Sequence, residues 1–128
     1  MRQTHRAVIC LGSNTPDASL RIALALDGLR RSADVLQTSD AYVNDDDTGR
    51  GAPYTNLVAE CDTTCTLEDM CDIITRLETE GGRTADSKAT AVMPIDIDIV
   101  IWDGDILRPY DYTRPYFTRG YTRLAGSE

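Results

Sequence analysis

The stretch Ile95-Asp96-Ile97-Asp98-Ile99-Val100-Ile101-Trp102 alternates with a period of two. As a strand it puts Ile95, Ile97, Ile99 and Ile101 on one face and Asp96 and Asp98 together on the other. Two carboxylates at i and i+2 lie about 7 Å apart on that face, so they can flank one cation or two. Water alone can also solvate such a pair. The rest of the strand is apolar, a long polar stretch from Arg83 to Pro94 leads into it, and the only histidine is His5. Hard oxygen ligands without His or Cys suit Mg²⁺, which binds through one or two carboxylates plus substrate phosphates and keeps several waters.

Working outward, Ala7-Val8-Ile9-Cys10-Leu11 is a short β-branched-rich run closed by Gly12-Ser13-Asn14, a buried strand followed by a tight turn. After Pro16 and Asp17, the residues Ile22, Leu26, Leu29 and Ala33 form one apolar helical stripe that should end near Ser32 to Asp34. Val35 to Tyr42 is a weaker strand. The breaker-rich segment Asn44 to Pro53 is long for so small a domain, which favours a functional lid. Tyr54 to Asp62 alternates, with Tyr54, Asn56, Val58 and Glu60 on a face that looks wet. Thr66 can cap the next helix, with Asp69 in its first turn, an apolar stripe of Leu67, Met70, Ile74 and Leu77, and Gly81-Gly82 as its stop.

The order β-α-β-β-α-β predicts an α+β, ferredoxin-like fold: one antiparallel sheet with both helices on one face. The helix-covered face takes the Ile and Leu residues, so Tyr54, Asn56, Asp96 and Asp98 share the other side. From about Asp103 the chain reads as an irregular tail.

With 128 residues, 41% hydrophobic and 27% charged, the chain is expected to be one domain. At this size folding removes roughly 65% of the unfolded chain's surface from water, so no disulfide or structural metal is needed. Cys10, Cys61, Cys65 and Cys71 contain no C-x-x-C pair, which argues against a zinc site. Cys10 and Cys61 in strands and Cys71 in a helix read as core filler. A net charge of -8 argues against nucleic acid as a partner. No apolar run approaches the roughly 20 residues of a membrane span. The basic N-terminus precedes an apolar stretch too short for a secretory signal, so the expected location is the cytoplasm.

Leu11-Gly12-Ser13-Asn14 after the first strand, Pro53-Tyr54-x-Asn56, Glu78 to Arg83, and Asp96-x-Asp98 resemble, in this order, the 6-hydroxymethyl-7,8-dihydropterin pyrophosphokinases of folate biosynthesis. The resemblance spans about residues 7 to 102. It implies transfer of the terminal pyrophosphoryl group of ATP to the pterin hydroxymethyl, with release of AMP, two Mg²⁺ and a ferredoxin-like fold. By the same resemblance, Asp96 and Asp98 are the magnesium carboxylates and, with Arg83, the catalytic set. Tyr54 and Asn56 belong to the pterin pocket. Arg83 opens a mobile loop with phosphate-binding residues, and the segments 43–53 and 84–94 are lids. A pterin is a flat ring with an amide and aminopyrimidine edge, so an Asn side chain can offer it both donor and acceptor while aromatic rings cover its faces.

Departures from the family pattern are concentrated in the nucleotide-binding parts. The family loop before D-x-D carries several arginines, whereas this chain has Lys88-Ala89-Thr90-Ala91-Val92-Met93-Pro94. Lys88 can replace part of that clamp as a point charge, without the bidentate fork of arginine. In the tail, Arg119 can meet phosphate and Tyr121 can stack on pterin, or both simply pack the surface. Two alternatives follow: a weak or inactive pterin or nucleotide binder, or an enzyme for another hydroxymethyl substrate. A third is an assembly module that pairs through an exposed sheet edge.

Overall fold

A computed structural model describes residues 3–45, 49, 51–84 and 86–124, without the side chains of 88 and 89. In chain order the elements are β1 (His5–Ser13), α1 (Ala18–Leu29), β2 (Asp34–Thr38), β3 (Tyr42–Asn44), β4 (Tyr54–Thr63), α2 (Leu67–Glu80), α3 (Ser87–Thr90), β5 (Asp96–Trp102), β6 (Asp105–Ile106), α4 (Pro109–Tyr112) and α5 (Pro115–Tyr121). The most apolar strand takes the centre. Ala7, Ile9 and Leu11 of β1 are fully buried, and β1 pairs antiparallel with β4 on one side and β5 on the other. The sheet runs β2-β4-β1-β5-β6, with β3 also on β4. All its pairings are antiparallel, so the fold is α+β with an open six-stranded sheet.

Strands β2 and β3 are one edge interrupted at Ser39. Its backbone N–H donates to the Val58 carbonyl at 2.8 Å, and its hydroxyl accepts from the Val58 N–H at 3.0 Å. The side chain thus stands in for a ladder carbonyl where the strand bends.

The expected helices form for the expected reasons. Ile22, Leu26, Leu29 and Ala33 are buried, as are Met70, Ile74 and Leu77, and together with Ala7, Ile9, Leu11, Ile95, Ile97 and Ile99 they make the main core. Thr66 caps α2, its hydroxyl accepting from the Asp69 N–H at 3.1 Å. Gly81 ends the helix, donating to the Leu77 carbonyl at 2.9 Å. Gly82 follows at φ +101, a conformation open to glycine and strained for other residues.

Four expectations change. The register between β1 and β5 slips between Val8 and Ile9, where two residues of β5 oppose one of β1. A bulge of this kind reverses the alternation beyond it, so Ile101 leaves the face of Ile95, Ile97 and Ile99 and joins Val100 on the other side. That second face is not simply wet. Val8, Cys10, Val58, Val100 and Ile101 form a second apolar cluster with Phe117 and Leu124. Its cover is the segment read as an irregular tail, which instead folds as β6, α4 and α5. Lastly, Cys71 is exposed on α2, while Cys10 and Cys61 are buried as expected.

The close approach of α5 to the sheet depends on Gly120. A Cβ there would stand 2.6 Å from Val58 Cγ2 and 2.7 Å from the Tyr42 hydroxyl. Tyr42 is held beneath the helix by its own hydroxyl, which donates to the Tyr116 carbonyl at 2.6 Å.

Candidate active site

On the sheet face away from α1 and α2, the register sets Asn56, Gly12 and Asp96 side by side across three strands. One step along lie Val58, Cys10 and Asp98. Gly12 keeps the first row open, because a Cβ at this position would lie 2.8 Å from Asn56 Oδ1 and 3.5 Å from the Tyr54 ring. The rows form the floor of an open cavity of about 190 Å³, with Tyr54, Asn56, Asp96 and Asp98 along it. Asp45 from the loop after β3 and Arg108, Asp111 and Tyr116 from the C-terminal segment complete the wall.

Asp96 is tied to the end of α2. Arg83 Nη1 donates to Asp96 Oδ1 at 3.0 Å and to Glu78 Oε2 at 2.6 Å, while Glu78 Oε2 also accepts from the Ile97 N–H at 2.9 Å. Burial raises the Glu78 carboxyl above its ordinary range, against the Ile97 N–H and the Arg83 charge. Asp98 sits deeper. Burial, and then the charge of Asp96, push its carboxyl up to about 8, opposed by Arg108, whose Nη1 lies 3.7 Å from Asp98 Oδ1. Arg108 Nε and the Tyr116 hydroxyl each donate to a different oxygen of buried Asp111. At the β4 end of the floor Asn56 is buried, its Nδ2 3.4 Å from Asn44 Oδ1.

The raised Asp98 carboxyl gives the metal-free protein a pH-dependent stability. An unfolded Asp titrates near 3.9, so between about pH 4 and pH 8 the unfolded chain ionises while the folded one retains its proton. The stabilising contribution is full below pH 4 and is lost as pH rises through 8. Denaturant melts in EDTA at pH 5.5 and 8.5 are expected to show a loss of the order of 2 kcal/mol, and Asp98→Asn is expected to remove most of it. An equal pH dependence in the variant contradicts this role for Asp98.

Of the residues singled out in the sequence, Tyr54, Asn56, Asp96 and Asp98 meet at the cavity, and Arg83 reaches it through Asp96. Arg119 instead donates to the Val43 carbonyl at 2.8 Å and lies 5.1 Å over the Tyr42 ring. Tyr121 stacks on Phe117 with centroids 5.1 Å apart. Neither residue is among those that line the cavity. Lys88 belongs to α3, but its side chain lies outside the described residues, as do residues 46–48 and 50 of the first lid and 85 of the second. Asn14, just after β1, ties down the segment 91–93. Its Nδ2 donates to the Ala91 carbonyl at 2.7 Å and its Oδ1 accepts from the Met93 N–H at 2.6 Å.

Sequence reasoning missed Arg108, Asp111 and Tyr116, because they come from the segment taken for a tail. The one available signal was Pro109 and Pro115, each a favourable first residue of a helix. Gly12 and Ser13, expected in a tight turn, instead continue β1, and the alternation of that strand places Gly12 on the carboxylate face.

The donor set fits a divalent ion that arrives with phosphate. Asp96 and Asp98 open into one cavity as carboxylate oxygen donors, while burial and the neighbouring carboxylates push the adjacent Cys10 thiol up and keep it from acting as a thiolate ligand. Among the described residues, no group of three or more His, Cys, Asp or Glu side chains is placed to hold an ion by itself. Mg²⁺ asks for no more than one or two carboxylates when phosphates and water supply the rest.

No curated protein matches the chain. A solved structure described as an unknown protein from Galdieria sulphuraria is similar at a TM-score of 0.49 and 11% identity, over 80% of this chain and 50% of that one. This chain thus spans half the length of that protein. The family model for 7,8-dihydro-6-hydroxymethylpterin-pyrophosphokinase matches residues 8–125, from the first strand through the helices that close the cavity. Nearly the whole chain is covered, and it belongs to the 7,8-dihydro-6-hydroxymethylpterin-pyrophosphokinase family.

Proposed function

We propose that the protein transfers the terminal pyrophosphoryl group of ATP to the hydroxymethyl group of 6-hydroxymethyl-7,8-dihydropterin, releasing AMP. The supporting observation is that Asn56 and Tyr54 share one cavity with Asp96 and Asp98. Asn56 and Tyr54 bind the pterin, the amide reading its polar edge and the ring covering a face. Asp96 and Asp98 would hold Mg²⁺ brought with the phosphates, and the ion would offset the negative charge of the transferred group. Arg83, held by Glu78, positions Asp96 and lies within reach of an incoming phosphate; Lys88 is a second candidate for that contact. Positioning the acceptor oxygen in line with the β phosphorus then supplies much of the rate. The scaffold is a single domain, with β1-α1-β2-β4-α2-β5 as a ferredoxin-like core, and the protein works in the cytoplasm.

The direct test is chromatographic detection of AMP from ATP, Mg²⁺ and hydroxymethyl-dihydropterin. Pterin-dependent AMP is the expected result, and AMP formation independent of pterin rejects this acceptor. A second reading, a pterin or nucleotide binder without turnover, is favoured by Arg83 being engaged with two carboxylates at once. Calorimetric binding of both ligands with no AMP supports that reading instead.

A further inference from the structure

Helix α1 is apolar on two opposite faces. Its inward stripe is Ile22, Leu26 and Leu29, all buried. On the outward face Leu20 is 58% and Leu24 60% exposed. At 100° per residue, Asp17, Leu20, Arg21, Asp27, Gly28 and Arg31 all fall within about 60° of Leu24. Helix α2 beside it is built otherwise: its outward residues include Glu68, Asp69, Asp72, Arg76 and Glu80, and its hydrophobic residues turn inward. Two large leucines exposed side by side among charged residues make an apolar patch with a polar rim, the usual form of a contact surface. Next to Leu20 and Leu24, between the two helices, runs a groove floored by Ala25, Gly28 and Leu77 and rimmed by Arg21 and Glu80.

The order of charges along this face says what covers it. Counting outward from Leu24, Asp17 lies seven residues before and Arg31 seven after; Arg21 lies three before and Asp27 three after; Leu20 and Gly28 lie four to either side. Reversing the helix about Leu24 therefore exchanges acid for base and leaves apolar against apolar. An antiparallel copy sets its Arg31 level with Asp17, its Asp27 level with Arg21 and its Leu24 against Leu24. Arg31 is exposed and makes no ion pair among the described residues. The chain carries a net charge of -8, yet on this face two acids and two bases balance, so two copies can approach here without net repulsion.

We propose that the protein forms an isologous dimer through α1, antiparallel about a two-fold axis at Leu24, on the helix side of the sheet and away from the carboxylate cavity. A two-fold contact of this kind is self-complementary by construction, and one helix face with its groove is a small interface, so association is weak and concentration-dependent.

Sedimentation velocity over about 5 to 500 µM is expected to show the mass rising from 14.1 kDa toward twice that value. Leu24→Asp puts two carboxylates on the axis and is expected to hold the protein at monomer mass, with circular dichroism and AMP formation unchanged because the residue is exposed and distant from the cavity. Arg31→Glu and Asp17→Lys each place like charges opposite one another and are expected to weaken self-association at least tenfold. Mixed together, these two variants restore both opposite-charge pairs and are expected to form a heterodimer as readily as the unaltered chain. Monomer mass at every concentration, dimerisation of Leu24→Asp equal to the unaltered chain, or failure of the mixture to associate overturns the proposal.

Discussion

Asp98→Asn is expected to lower pterin-dependent AMP formation by about 10³-fold or more, because loss of several kcal/mol of transition-state charge stabilisation is at issue. The substitution keeps the size of the side chain and removes its charge. Asp98 lies at the floor of the cavity beside Cys10, 3.7 Å from Arg108, so it has little room to be replaced by another carboxylate. Asp96 alone leaves the ion with a single carboxylate, and one of its two oxygens, Oδ1, already accepts from Arg83. The same variant is expected to be as stable as the unaltered protein in EDTA at pH 8.5, or more so, because the buried charge is gone. Loss of turnover with stability retained therefore separates a role in catalysis from a role in folding. Turnover within a few-fold of the unaltered protein would falsify the assignment of this carboxylate to the metal.

The second large effect concerns the cover of the other sheet face. Phe117 is fully buried and is the largest side chain in that state. It lies 5.1 Å from the Tyr121 ring and 6.0 Å from Tyr112, in the cluster of Val8, Cys10, Val58 and Val100. Phe117→Ala is expected to cost about 3–5 kcal/mol, a large part of the roughly 5–15 kcal/mol that a domain has in total. The melting temperature should fall by roughly 15 °C. Because α5 carries Tyr116 on the cavity wall, pterin affinity should fall as well, at temperatures where the protein is still folded. A loss below about 1 kcal/mol would mean that α5 lies on the surface as a dispensable tail.

These effects belong to parts of the molecule that differ in how far they can be read from sequence. Alternation in β1, β4 and β5, and the 3.6-residue stripes of α1 and α2, are local patterns, and each carries its own burial direction. They were enough to place Asp96, Asp98, Tyr54 and Asn56 on one sheet face, and Thr66 and Gly81 at the ends of α2. The bulge opposite Val8 and Ile9 was not legible, because Val100, Ile101 and Trp102 are all apolar and hydrophobicity alone does not mark where the alternation reverses.

Residue types and their periods by themselves determined the sheet-forming segments, the helix faces and the shared side of the two carboxylates, since each depends on neighbours a few positions away. Tertiary structure alone decided that α4 and α5 fold back over that side and bring Arg108, Asp111 and Tyr116 to the cavity. It also decided that Arg83 reaches Asp96 across 13 positions of chain and that Asp98 is buried enough to hold its proton near neutral pH. Those outcomes rest on packing between segments far apart in the chain, where desolvation and charge depend on what is brought near rather than on what is adjacent.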